Sequence, residues 1–137
     1  MSKYVELRTS VTDERYLVEA LRELGYEPEV CREGRPLVGY RGDERTERAQ
    51  IIIPRGQLDS ASNDIGFARD ASGVYQAIVS EYDRGIGFDD AWLARLVQVY
   101  KERQTMAVAK AKGYVFKGRE VIDTPQGKKI QLRFAVR

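Results

Sequence analysis

From Lys3 to Val11 apolar and polar residues alternate, with Val5, Leu7, Thr9 and Val11 on one face and Tyr4, Glu6, Arg8 and Ser10 on the other. That period of two predicts a half-buried strand. The period then changes. Leu17, Ala20, Leu21 and Leu24 recur at helical spacing, which predicts a helix over Asp13 to Leu24 with one apolar stripe. Thr12 is the expected N-cap, Asp13 and Glu14 sit where the helix dipole favours negative charge, and Gly25 ends the helix.

Tyr26 to Cys31 reads as a second strand, at an edge or with a late start because of Pro28. Glu33 to Pro36 reads as a turn, Leu37 to Arg41 as a strand, and the charged stretch Gly42 to Arg48 as a loop. Ile51, Ile52 and Ile53 are consecutive; such a β-branched run predicts a strand with both faces covered. Gly56 to Asn63 is polar and reads as a loop. Asp64 to Ala68 and Val74 to Asp83 read as a hairpin around Arg69 to Gly73. Gly85-Ile86-Gly87 breaks the pattern. Asp89 is the expected cap of a long helix over Asp90 to Lys112, whose stripe is Leu93, Leu96, Val97, Tyr100, Gln104, Ala107, Val108 and Ala111. Tyr114 to Ile122 and Lys129 to Val136 form a last hairpin, in which Ile130, Leu132, Phe134 and Val136 alternate with Gln131, Arg133 and Ala135.

Seven strands and two one-striped helices predict an α+β fold: a single domain over residues 1–137, an antiparallel sheet of six to seven strands, and both helices on one face. Leu21, Leu24, Leu93, Leu96, Leu132 and Phe134 are the expected core. Tyr4, Glu6, Arg8, Arg133 and Arg137 are expected on the second face. A faint repeat, in which each helix ends in Gly-Tyr (Gly25-Tyr26, Gly113-Tyr114) and leads into a hairpin, is compatible with two strand-helix-strand-strand units.

The 137 residues contain no histidine and one cysteine, Cys31. Disulfides, zinc sites of the His/Cys type and imidazole catalysis are thereby excluded. Net charge is only +2, but it is unevenly spread. Residues 101–137 hold ten basic and three acidic groups, a charge of +7, against −5 for residues 1–100. Lys117, Arg119, Lys128, Lys129, Arg133 and Arg137 are therefore the candidate basic interaction surface. Other candidate chemistry is thin. Asp13-Glu14 and Asp89-Asp90 are explained as helix starts, and Asp43-Glu44 is an adjacent pair without a motif. Gly85-Ile86-Gly87 lacks a phosphate-loop pattern, and Asp64 before Gly66 lacks a calcium-loop spacing. Cys31 beside Arg32 has no base to activate it. No catalytic residue, cofactor or metal is expected. No apolar run reaches the roughly 20 residues of a membrane span, and Met1 to Glu6 lacks a signal-peptide core, so a cytoplasmic protein is expected.

Several stretches together carry a resemblance. They are Tyr4-Val5-Glu6-Leu7-Arg8-Thr9 with Asp13, Leu17, Ala20-Leu21 and Leu24-Gly25-Tyr26; Gly39-Tyr40-Arg41-Gly42; Ala49-Gln50-Ile51-Ile52-Ile53; Asp64-Ile65-Gly66-Phe67; and Leu93, Leu96, Gln98, Tyr100 and Ala109 to Tyr114. This set resembles domain-of-unknown-function family 1257, which includes the hypothetical chloroplast reading frame 35 proteins. The polar insert Leu58 to Asn63 and the Arg-rich loop Arg41 to Arg48 depart from it. The resemblance implies one domain with this element order, carries over no catalytic residue, and implies an AAA-type ATPase as a partner. For an algal source it implies the plastid stroma. The expectation is a non-enzymatic accessory or adaptor protein acting through a protein partner. The alternative is a nucleic-acid-binding module using residues 101–137; a small-ligand sensor or enzyme subunit with a pocket between helix and sheet is a third. A compact apolar patch favours the protein partner, and a contiguous basic stripe crossing exposed aromatics favours nucleic acid.

Overall fold

The computed structural model describes residues 2–136. The chain divides into two compact units, Met1–Tyr100 and Lys101–Arg137. The first contains β1 (Tyr4–Leu7), α1 (Glu14–Glu23), β2 (Glu29–Val38), β3 (Glu44–Ile53), a 3-10 turn (Arg55–Gln57), β4 (Ile65–Arg69), β5 (Tyr75–Ser80) and α2 (Glu81–Gly85). Helix α3 (Asp90–Ala111) begins in the first unit and runs into the second, which also holds β6 (Tyr114–Thr124) and β7 (Gly127–Val136). The α+β class, the antiparallel pairing and the seven strands agree with the sequence pattern. Their distribution differs: five strands form one sheet in the order β1-β5-β4-β3-β2, and β6-β7 form a sheet of their own. Alternation marks a stretch as strand but does not name its partner, so pairing could not be read from it.

The first sheet is covered on one face by α1 and the start of α3. Leu17, Ala20 and Leu21 of α1 and Trp92, Leu93, Leu96 and Tyr100 of α3 form one buried cluster with Ile51, Ile53, Ile65, Phe67, Tyr75, Ala77 and Val79 from the strands. The Tyr100 hydroxyl accepts from the backbone N–H groups of Thr12 and Asp13 at 3.2 and 3.0 Å, tying α3 to the start of α1. A smaller cluster, Tyr4, Leu37, Ala49, Ile52 and Ile78, lies apart from it. The isoleucine run thus feeds both clusters.

Local departures have local causes. The cap of α1 is Asp13, not Thr12: its carboxylate accepts from Arg15 N–H at 2.9 Å. No turn interrupts β2 at Glu33 to Pro36. Pairing with β3 continues through register shifts on either side of Arg35 and Pro36, with Gly34 at φ +80°, and β2 is an edge strand where a proline costs no ladder bond. β3 starts at Glu44, inside the stretch read as a loop, because β2 supplies a partner for its polar residues. The end of the Val74 to Asp83 stretch is α2, capped by the Ser80 hydroxyl, which accepts from Asp83 N–H at 3.1 Å. Of the expected core, Leu21, Leu93 and Leu96 are buried, whereas Leu24, Leu132 and Phe134 are half-buried. Leu132 and Phe134 belong to a two-stranded ribbon, which has too few neighbours to enclose its own side chains. The expected second face is also revised. Tyr4 and Glu6 do lie on the second face, where Tyr4 is buried in the smaller cluster and Glu6 is exposed, but Arg8 lies beyond the end of β1, Arg133 belongs to the other sheet, and Arg137 lies outside the described residues.

Candidate interaction surface

Of the candidate basic residues, Arg137 lies outside the described residues, and the β6–β7 hairpin holds Lys117, Arg119, Lys128, Lys129 and Arg133. Its register pairs Tyr114 with Val136, Phe116 with Phe134, Arg119 with Leu132, Val121 with Ile130 and Asp123 with Lys128. Residues opposite one another in an antiparallel pair share a face. One face therefore carries Tyr114, Phe116, Val121, Ile130, Leu132, Phe134 and Val136, with Arg119, Lys128 and Asp123 among them. The other carries Val115, Gly118, Glu120, Ile122, Lys129, Gln131, Arg133 and Ala135. Lys117 sits at a bulge between Phe116 and Gly118.

The first face is partly exposed, with Ile130, Leu132 and Phe134 half-buried. Of seven exposed large hydrophobic side chains among the described residues, five belong to the second unit: Val108, Tyr114, Phe116, Val121 and Val136. The four on the hairpin all lie on that one face. The Phe116 and Phe134 rings pack at 5.8 Å between centroids. Lys117, Arg119, Lys128, Lys129 and Arg133 are exposed, but the register sends Arg119 and Lys128 to the apolar face and Lys129 and Arg133 to the opposite one. Lys128 and Lys129 both belong to β7. Arg119 pairs with Glu102 at 2.5 Å. The cationic residues are therefore split between the faces, Arg119 within the apolar stripe, Lys128 at its turn end, and Lys129 and Arg133 behind it, and do not form a basic stripe of their own. Alternation along residues 130–136 was visible in the sequence; the partly exposed face and the partners Phe116 and Val121 required the register.

The first unit concentrates buried polar groups on Asn63, Asp64 and Asp83, which sequence spacing did not single out as a cluster. Asp64 accepts from Arg35 Nη1 at 3.0 Å and from the N–H groups of Val38 and Arg55 at 2.8 Å each. Its backbone carbonyl accepts from the Tyr4 hydroxyl at 2.8 Å. Burial, and then the Asp64 charge, raise the Tyr4 pKa. Burial pulls the Arg35 guanidinium down, while hydrogen bonds to Glu29 and Asp64 more than offset this and leave it raised. Asn63 donates to Ser80 Oγ at 2.9 Å, and Ser80 donates to Asp83 Oδ2 at 2.6 Å. These bonds join the loop before β4 to the end of β5. A cavity of about 220 Å³ is lined by Ser2, Tyr40, Ala61 and Tyr82, a set without an acid–base pair. Asp89 caps α3 by accepting from Trp92 N–H at 3.0 Å, Asp13 caps α1, and Cys31 is a half-buried thiol. Among the described residues no group of three or more His, Cys, Asp or Glu is placed to hold a metal ion, and no helix is long and apolar enough to cross a membrane.

Comparison with curated proteins and with solved structures gave no match. A family model, described as "Protein of unknown function (DUF1257)", matches residues 20–127. That span takes in the last four residues of α1, strands β2 to β5, the whole length of α3 and all of β6, so the match rests on elements of both units, and the chain belongs to the DUF1257 family.

Proposed function

We propose that this chain is a non-enzymatic accessory or adaptor protein that acts by binding a protein partner through the β6–β7 hairpin. The observation that carries the reading is the apolar stripe of Tyr114, Phe116, Val121 and Val136, exposed on one face with Arg119 and Lys128 set among it. Clustered exposed apolar and aromatic side chains with a polar rim are the composition of a protein docking patch. Nucleic-acid binding is less well served. Phosphates need cations aligned along one face, whereas here Lys129 and Arg133 oppose Arg119 and Lys128 across the ribbon. An AAA-type ATPase is the partner class implied by the resemblance, and it is the first candidate to purify.

The test is a photo-crosslinking residue placed at Val121 and, as a control of similar exposure in the first unit, at Val30 (47% and 45% exposed). The expected result is a discrete protein adduct at Val121 alone, whose purified partner binds the chain and binds the Phe116→Ser variant more weakly. Gel shifts with duplex and single-stranded probes at low salt and about 150 mM salt complete it, since non-specific phosphate contacts give only about 10⁻⁴–10⁻⁶ M. Sub-micromolar binding at the higher salt, lost when Lys128, Lys129, Arg133 and Arg137 become glutamine, would overturn the protein-partner reading in favour of nucleic acid.

A further inference from the structure

The hairpin has two outer edges, and they are not equivalent. Among the described residues β6 and β7 pair only with each other. Each therefore presents a row of outward N–H and C=O groups, a template for a further strand. The outer edge of β6 is interrupted by the bulge at Lys117, and a bulge twists an edge away from pairing. β7 runs unbroken over Gly127–Val136 with no proline. Its residues 130, 132, 134 and 136 are apolar on one face, and Lys129 and Arg133 stand on the other. Within its ten residues β7 has three cations and no acid.

From this geometry we infer that the partner docks by adding an extended strand to the β7 edge, and that the strand alternates apolar and acidic residues. This rests on the protein-partner reading and names the partner's chemistry. Apolar side chains of the added strand fall beside Ile130, Leu132 and Phe134 and widen the apolar face. Its acidic side chains fall beside Lys129 and Arg133 on the reverse face, where opposite charges in neighbouring strands attract. The backbone bonds supply affinity, and the alternation supplies selection. A second copy of this chain is disfavoured as the occupant, because β7 against β7 would gather the cations of both strands with no acid to offset them. Such edge lysines are a known device against self-pairing.

The experiment uses the full chain and three synthetic ten-residue peptides: one alternating valine and glutamate, one of the same composition with alternation broken, and one alternating valine and lysine. Binding is read by amide hydrogen exchange and by titration. The alternating valine–glutamate peptide is expected to bind and to slow exchange along β7 more than along β6. The other two should bind about tenfold more weakly or worse, since cross-strand charge pairs are being lost or reversed. Charge reversal by Lys129→Glu with Arg133→Glu should invert the preference towards the valine–lysine peptide, and that gain of binding also shows that the variant is folded. No binding of the first peptide, equal binding of all three, or protection confined to β6 would overturn strand addition. So would reversible self-association that competes with the peptide, because the occupant would then be a second copy. The Val121 crosslinking outcome does not depend on peptide geometry. A crosslinked, reconstituted partner with no peptide binding therefore rejects only the strand mode, whereas no partner at Val121 rejects the adaptor reading itself.

Discussion

Arg35 is shared by two carboxylates, which allows burial to be tested against proximity. Glu29 lies closer, at 2.6 Å, but its side chain is 54% exposed; Asp64 lies at 3.0 Å and its side chain is 2% exposed. If proximity governed, Glu29 would be the costlier partner to remove. The structure argues the reverse. Glu29→Gln removes a solvated ion pair, for which about 0–1 kcal/mol is expected. Asp64→Asn is isosteric but replaces an all-acceptor group that faces three donors: Arg35 Nη1, Val38 N–H and Arg55 N–H. In either orientation the new NH₂ points at one or more of them. A stranded buried donor costs about 1–3 kcal/mol, and a bond to a charged acceptor is worth about 1.5–3 kcal/mol. Because part of the charge-assisted energy is retained by the remaining carbonyl oxygen, the net expectation is about 2–4 kcal/mol. The assay is urea denaturation followed by fluorescence of Trp92, the one tryptophan, which is buried in the first unit's core. Asp64→Asn should lower the midpoint clearly and Glu29→Gln barely. A Glu29→Gln loss equal to or larger than that of Asp64→Asn would refute the argument that enclosure, and not distance, sets the worth of this pair.

Leu96 is fully buried between helix and sheet, so Leu96→Ala should cost about 2–5 kcal/mol in the same denaturation; an unchanged midpoint would contradict the packing of α3. Asp70 is held at a pKa of about 2 by the Ser72 hydroxyl first, then by Gln76 and the Val74 N–H. Its folded pKa lies below the ordinary carboxylate value, so its stabilising effect is present above about pH 4 and is lost as pH falls towards 2. The wild-type melting temperature should fall across that window more than that of Asp70→Asn, and parallel curves would contradict the assignment.

What could be read from the sequence follows the reach of each interaction. The apolar stripe of α1, the long stripe of α3 and the isoleucine run were legible because each is set by neighbours a few residues away. Glu44 to Arg48 was not, since Glu-Arg-Thr-Glu-Arg has no apolar period and becomes a strand only because β2 lies beside it. Gly34 and Pro36 carry turn chemistry, yet within β2 they mark register shifts. Asp64 showed no motif, because its donors come from residues 35, 38 and 55, distances that follow no repeat. The sequence pattern places Gly66 in a strand and supplies no reason for glycine there. Its reason is tertiary: a Cβ there would stand 2.7 Å from the Ala49 Cβ and 2.9 Å from a Leu37 methyl, so the sheet admits only hydrogen at that position.

The candidate surface shows the same limit at the scale of one residue. Alternation along β7 was plain, but the partner face depends on where β6 is counted from. Were β6 unbroken from Phe116, Gly118 would oppose Leu132, Glu120 would oppose Ile130, and Val121 would turn to the reverse face beside Lys129. The apolar stripe would then carry a carboxylate at its centre. The extra residue at Lys117 shifts the count, so that Arg119 opposes Leu132 and Val121 opposes Ile130. At Gly118 the Arg133 guanidinium lies 3.0 Å from where a Cβ would be, close over the bare backbone. A one-residue slip exchanges the faces of a strand. Here it removes Glu120 from the apolar face and brings Val121 onto it, and so completes the patch, while the continuous alternation of β7 keeps Lys129 and Arg133 together on the other face.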